Sequence, residues 1–284
     1  ASGNQGGPMA GKVVFVLVDA IGFDAAVACL GTLEGLVEAG KARRWRMRTV
    51  LPSLSVPVYE TLHTGTEPHV HGMRSNDLIP LSRGPHVFGV ARAAGRATGA
   101  VAHWNFSQMY NRVPYDPVRD IEVDDEGLAI QHGRFYGDEH ATKANPHLPS
   151  EHDVMAKATM LIRRFAPDYL LVHTFGPDSI GHLYGGESRE YRYEIWAVDN
   201  ALADAVPVWR DAGYRVLFTA DHGMTADGRH GGTSDTERLV PFYDIGHPQG
   251  GAAEGIVDQL AVAPTSLALM GLSAPPEMRA PALP

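Results

Sequence analysis

Short β-rich apolar runs alternate with helix-length segments along nearly the whole chain, and few folds accommodate that rhythm. KVVFVLVD (12–19) reads as a buried strand, followed by the helical FDAAVACLGTLEGLVEAG (23–40), whose Gly40 suits a helix C-terminus. RWRMRTV (44–50) gives a second strand. GPHVFGVARAAGRATGAVAHW (84–104) reads as helix, turn and strand, and DVMAKATMLIRRFAPDYLLVHTFG (153–176) repeats that order. A long helix over 188–213, expected to break or kink near Pro207, leads into the strand YRVLFTAD (214–221). Strands covered on both sides by the intervening helices make an α/β fold, a doubly wound and mostly parallel central sheet with helices on both faces.

One segment departs from the pattern. Residues 105–150 are rich in Tyr, Asn, Pro, Asp and His without a sustained period, which suggests a small inserted cap over the active site within a single domain spanning 11–284. Residues 1–10 are small, polar and uncharged, unlike a signal peptide, and are read as a disordered or cloning-derived tail. A cytoplasmic location is therefore the expectation.

Several strands finish in polar side chains, at the sheet edge where open α/β sheets bind ligands. Asp19 closes the first strand in VLVDAIG; Asp178 and His182 stand at i, i+4 in GPDSIGH; Asp221 and His222 end the last strand in TADHGM; His230 follows in GRHGG. The i, i+4 spacing points Asp178 and His182 the same way on a helical turn. Asp221 and His222 are adjacent, so the strand must end and turn between them, with Gly223 permitting the turn. A lone strand-end Asp usually caps a helix or forms a turn, but three Asp and three His at one edge form an oxygen and imidazole donor set for divalent ions. The donors are too many for one tetrahedral ion, and two ions are the economical reading.

Composition narrows the partners. A formal charge of -9 with four lysines argues against a protein that grips a nucleic acid polymer or an anionic membrane. The single cysteine, Cys29, excludes an internal disulfide or a Cys-based zinc cluster, and no apolar run reaches the roughly 18 residues of a membrane span. A small-molecule partner remains, with the oligomeric state open.

In order along the chain, VLVDAIG, LSVPVYETLHTGTEPHVHGMRSN, GPDSIGH, TADHGM and GRHGG resemble the type I phosphodiesterase and nucleotide pyrophosphatase branch of the alkaline phosphatase superfamily. The resemblance covers roughly 12–104 and 153–245. It implies an alkaline-phosphatase-like core and two divalent ions, zinc foremost, with manganese or iron as alternatives. One ion would be held by Asp178, His182 and His230, the other by Asp19, Asp221, His222 and the nucleophile. It places Ser55 rather than Ser53 on the nucleophile and Asn76 on a donor to a phosphoryl oxygen. Ser55 opening a helix would meet the positive end of the helix dipole, although a serine there can also be only a cap.

The implied activity is two-metal hydrolysis of a phosphodiester or nucleotide pyrophosphate through a phosphoryl-serine intermediate. A phosphomonoesterase or a phosphonate hydrolase could use the same residues, and a non-catalytic metal-containing phosphate binder is the alternative of another class. A sulfatase is disfavoured because Tyr59 stands where its motif carries Arg. Phosphonoacetate hydrolases use lysines, and the insertion offers only Lys143 with Arg112, Arg119 and Arg134. Its aromatic residues, among them Trp104, Phe106, Tyr110, Tyr115, Phe135 and Tyr136, could stack on a base or form a local core. His69 and His71 are read as turn residues, His173 as a satisfied strand-end histidine, and His132, His140, His147 and His152 as solvated loop residues.

Overall fold

The computed structural model describes residues 11–137 and 149–284. The strands are β1 (Lys12–Val18), β2 (Ala42–Arg48), β3 (Thr98–His103), β4 (Glu122–Asp124), β5 (His132–Tyr136), β6 (Tyr169–Thr174), β7 (Tyr214–Ala220), β8 (Leu239–Ile245) and β9 (Gly251–Asp258). They form one nine-stranded sheet in the order β4-β5-β3-β6-β1-β7-β8-β2-β9. The middle of the sheet, β5-β3-β6-β1-β7, is parallel throughout. The strands β3 and β6 are buried along their whole length, as expected when helices cover both faces. Toward the other edge β8 runs antiparallel to both β7 and β2. The mixed sheet and its covering helices agree with the α/β, mostly parallel expectation.

Two elements differ from the sequence reading. The helix expected over 23–40 divides at Leu30 into Phe23–Cys29 and Gly31–Glu38. The Asp199 carboxylate accepts from the Thr32 N–H at 2.8 Å and so caps the second piece from a distant helix, a tertiary contact that no local pattern encodes. Of the break or kink expected near Pro207, the break does not occur: the helix runs continuously from Arg189 to Asp211 with that proline inside it.

The segment 105–150, expected to lack regular structure, contributes in its described part a helix (Trp104–Tyr110) and the strands β4 and β5, which extend the sheet beyond β3. These strands are three and five residues long, too short for a period to emerge. Arg112 and Arg119 pair with Asp120, and Arg134 with Asp124. Of the named aromatic residues, Phe106, Tyr110 and Phe135 belong to the core. His140, Lys143 and His147 lie outside the described residues. No helix among the described residues is long and apolar enough to cross a membrane.

Candidate metal centre and nucleophile

Register explains why three distant aspartates meet. Val18, the last residue of β1, pairs with Thr174 at the end of β6 on one side and with Ala220 at the end of β7 on the other. Asp19 and Asp221 are each the next residue, and Asp178 sits in the first turn of the helix Gly176–Tyr184 that follows β6. Parallel neighbours in register therefore deliver all three carboxyl groups to one sheet edge.

Two triads result. The Asp178 Oδ1 lies 3.3 Å from His182 Nε2 and 3.4 Å from His230 Nε2, and the two imidazole nitrogens are 3.2 Å apart. His222 Nε2 lies 3.3 Å from Asp19 Oδ1, 3.2 Å from Asp221 Oδ2 and 3.4 Å from Ser55 Oγ. Ligands about 2.0–2.1 Å from a tetrahedral ion are separated by about 3.3–3.4 Å, so both triads have the edge lengths of a zinc-sized coordination polyhedron. Asp19, Asp178 and His222 also offer ligand atoms within 4.8 Å of one another, so the two groups adjoin.

The polar atoms around these triads are divided in the same sense. Asp19 Oδ1, Asp178 Oδ1 and Asp221 Oδ2 are buried without a hydrogen-bond partner, and these are the oxygens that face the histidines. The opposite oxygen of Asp221 accepts from the backbone N–H of Ala20 at 3.0 Å and of His222 at 2.8 Å. The opposite oxygen of Asp19 accepts from the Tyr59 hydroxyl. Each histidine directs Nδ1 at a backbone carbonyl: His182 at Gly228 (2.8 Å), His222 at Gly223 (2.9 Å) and His230 at Ser53 (3.1 Å). A donating Nδ1 leaves Nε2 with its lone pair inward, the tautomer a metal ligand requires. Orphaned oxygens and oriented nitrogens together fit a pair of divalent cations.

Electrostatics agree with an ion-demanding site. Burial alone raises Asp19 and Asp178, yet neighbouring histidines hold both below the usual carboxylate range. Asp221 is pushed well above it by burial and by the charge of Asp19. Pairing with Asp178 lifts His182 to about 8. Burial lowers His222, but Asp221 and Asp19 outweigh it and carry it to about 10. The imidazolium groups partly offset carboxylate charge that a divalent ion would neutralise more fully.

Ser55 is the first residue of the helix Ser55–Thr64, behind an N-cap, Leu54, that has no side-chain hydrogen bond. It is therefore not the cap, and its hydroxyl stays with His222. The Val56 N–H donates to Asn76 Oδ1 at 2.9 Å, which fixes the Asn76 amide and leaves its NH₂ as a donor. Ser53 is buried and structural: its Oγ donates to the Gly232 carbonyl at 2.9 Å and accepts from the Gly231 N–H at 3.2 Å, so the same residue that orients His230 also pins its loop.

Gly223 matters for a different reason than the turn expected of it. A Cβ there would lie 1.9 Å from the Thr236 carbonyl oxygen, so the glycine allows a close backbone approach, and its φ is not left-handed. The left-handed residue is Ala20 (φ 63°), immediately after Asp19. Its N–H is turned toward Asp221, and its carbonyl accepts from Tyr191.

One supporting residue, Tyr59, escaped sequence reasoning, and His173 beside it is the satisfied strand-end histidine expected there. Tyr59 donates to Asp19 and is itself 2.9 Å from His173 Nε2, whose Nδ1 lies 3.1 Å from the Tyr136 hydroxyl. Burial and the nearby Asp19 keep the Tyr59 phenol protonated, and burial keeps His173 neutral. The one available signal was that Tyr59 is i+4 from Ser55, on the same helical face. His71, by contrast, is a turn residue as expected, bonded to Thr61 at 3.0 Å and to the Met73 N–H at 3.2 Å.

Comparison with known proteins follows the same lines. The family model for type I phosphodiesterase / nucleotide pyrophosphatase matches residues 13–259. A 2,3-bisphosphoglycerate-independent phosphoglycerate mutase from Ruegeria sp. is 38% identical over 132 residues, 44% of this chain and 25% of that protein. The catalytic subunit of human GPI ethanolamine phosphate transferase 2 is 23% identical over 94% of this chain and 27% of its own length. This chain thus spans about a quarter of these curated relatives. Murine ectonucleotide pyrophosphatase / phosphodiesterase 5, solved in an inactive form with AMP, shares the fold with a TM-score of 0.71 at 14% identity, over 94% of this chain and 96% of that one. A 2-O GAG sulfatase, BT1596, gives 0.70 at 13% identity, over 96% and 73%. The matched range encloses every residue of both triads, and the chain belongs to the type I phosphodiesterase / nucleotide pyrophosphatase family.

Proposed function

We propose that this chain hydrolyses phosphate esters of the phosphodiester or nucleotide pyrophosphate type, transferring a phosphoryl group to Ser55 and then to water. The observation that carries this reading is the set of three orphaned carboxylate oxygens and three inward Nε2 atoms at coordination-edge spacing beside a helix-opening serine. Asp178, His182 and His230 would hold one divalent ion, and Asp19, Asp221, His222 and Ser55 a second; the donor set suits zinc and accepts manganese or iron. Such ions supply charge neutralisation for the phosphoryl oxygens and make the bound serine hydroxyl more acidic.

The chain's own groups do the rest. Ser55 Oγ loses its proton to solvent and forms a bond to phosphorus as the leaving alkoxide or phosphate departs from the opposite side. The Ser55 backbone N–H, at a helix start, and the Asn76 NH₂ would donate to phosphoryl oxygens, where charge grows in the transition state. Water then attacks the phosphoryl-serine from the Asp178, His182 and His230 side and restores the hydroxyl. A solved structure of a similar fold with AMP supports a small phosphate ester as substrate. The phosphonate reading loses support because Arg112, Arg119 and Arg134 are all spent in carboxylate pairs.

The test is hydrolysis of bis-p-nitrophenyl phosphate and p-nitrophenyl phosphate with and without chelator, by wild type and Ser55→Ala. Chelator-sensitive diester turnover that Ser55→Ala abolishes, with metal content retained, is expected. Turnover retained by Ser55→Ala refutes the covalent route, a strong monoester preference replaces the diester assignment, and no chelator-sensitive turnover on either favours a phosphate-binding domain.

A further inference from the structure

The helix Arg189–Asp211 is the longest among the described residues, and its outer face is not an ordinary solvated one. Exposed positions recur at 189, 193, 196, 200, 204, 207 and 211, a spacing of three or four that draws one stripe along all 23 residues. Tyr193 and Trp196 stand on this stripe at 63% and 57% exposure, and Pro207 is exposed farther along. Large aromatic side chains left open side by side mark a contact surface.

Two features identify what would cover it. The positions are symmetric about Asn200: 189 and 211, 193 and 207, and 196 and 204 are each equidistant from it. An antiparallel copy of the same helix, related by a two-fold axis at Asn200, therefore lays stripe on stripe. The charges on the stripe are also inverted. Arg189 is the first residue of the helix and Asp211 the last, each at the end of the dipole that disfavours its sign. Glu190 and Arg210 answer the dipole, but they lie about 80° off the stripe on its opposite margins. Arg189 reaches Glu190 at 3.4 Å with its own side chain 74% exposed, a pair of little worth in water. In the antiparallel arrangement each Arg189 meets the Asp211 of the other copy, and each charge comes to the helix end that favours it.

We infer that the chain forms a two-fold dimer through this helix. Trp196 of each copy enters the hole between Asn200, Ala203, Asp204 and Pro207 of the other, where the indole N–H can donate to the Asp204 carboxylate. Tyr193 enters the next hole, against Pro207 and Val208. The stripe is about 34 Å long and one helix wide, which is less than the roughly 800 Å² per partner of a standard interface, so association in the micromolar range follows. None of these residues belongs to the triads, and the inference is independent of the proposed hydrolysis.

Sedimentation equilibrium of the full chain from about 1 to 300 μM tests it. A reversible monomer–dimer equilibrium is expected, weakened at least about tenfold by Trp196→Ala, since a central tryptophan carries much of such a contact. Arg189→Asp should also weaken it, and the charge swap Arg189→Asp with Asp211→Arg should restore it, a recovery that loss of folding could not produce. A monomer throughout this range, a dimer indifferent to Trp196→Ala, or a swap no better than Arg189→Asp alone overturns the inference.

Discussion

Replacing Tyr59 with Phe removes one oxygen from the middle of a buried chain, Asp19, Tyr59 and His173. The phenol donates to the outer oxygen of Asp19 and leaves the inner oxygen for an ion. A hydrogen bond to a charged group is worth about 1.5–3 kcal/mol, and about 1.4 kcal/mol is a tenfold change in a binding constant. The ion held by Asp19, Asp221 and His222 should therefore bind roughly 10- to 100-fold more weakly, the range seen when a group that orients a metal ligand is removed. The ion held by Asp178, His182 and His230 should change little, since Tyr59 has no hydrogen bond to those residues. Competition against a calibrated chelator, which resolves two binding steps, reads both constants on one sample. A loss of less than about threefold at the Asp19, Asp221 and His222 step, or an equal loss at both steps, would refute the role assigned to Tyr59.

Other consequences are equally direct. Ion affinity should fall as the pH drops below about 8, because His182 is held protonated up to about 8 and His222 up to about 10, and an ion must displace those protons; a pH-independent chelator titration between pH 6 and 8 contradicts this. In the ion-free protein the sign reverses. Raised histidines contribute stability that is full below their unfolded value near 6.5 and lost as pH rises through 8 to 10, so chelated protein should melt lower at pH 9 than at pH 6.5. Asp221→Asn removes a buried carboxyl that burial and Asp19 oppose, so its melting temperature in chelator should equal or exceed wild type while the rise on adding zinc shrinks; an unchanged zinc response argues against Asp221 as a ligand. Gly223→Ala places a methyl group 1.9 Å from the Thr236 carbonyl and should cost at least about 3 kcal/mol by chemical denaturation; a neutral effect would mean the backbone approach is not tight.

Much of the candidate site was legible because its residues end strands. Asp19, Asp221 and His222 close apolar runs that only a buried strand explains, and Asp178 and His182 share one helical face at i, i+4. What the sequence could not convey is tertiary. Tyr59 looks like an ordinary core aromatic until Asp19 arrives from another strand, and Ser53 orients His230 through a carbonyl oxygen, which every residue type possesses. Strands β4 and β5 are too short for alternation to register, and they form only because β3 offers an edge. The division of the first helix at Leu30 depends on Asp199, which lies far along the chain.

Anomalous diffraction at the zinc edge from crystals of the zinc-loaded protein is the most direct measurement of the paired-cation site. Two peaks are predicted, one within bonding distance of Asp178, His182 and His230 and the other of Asp19, Asp221, His222 and Ser55 Oγ. A single peak, or two peaks that leave Ser55 without a neighbour, would contradict the account.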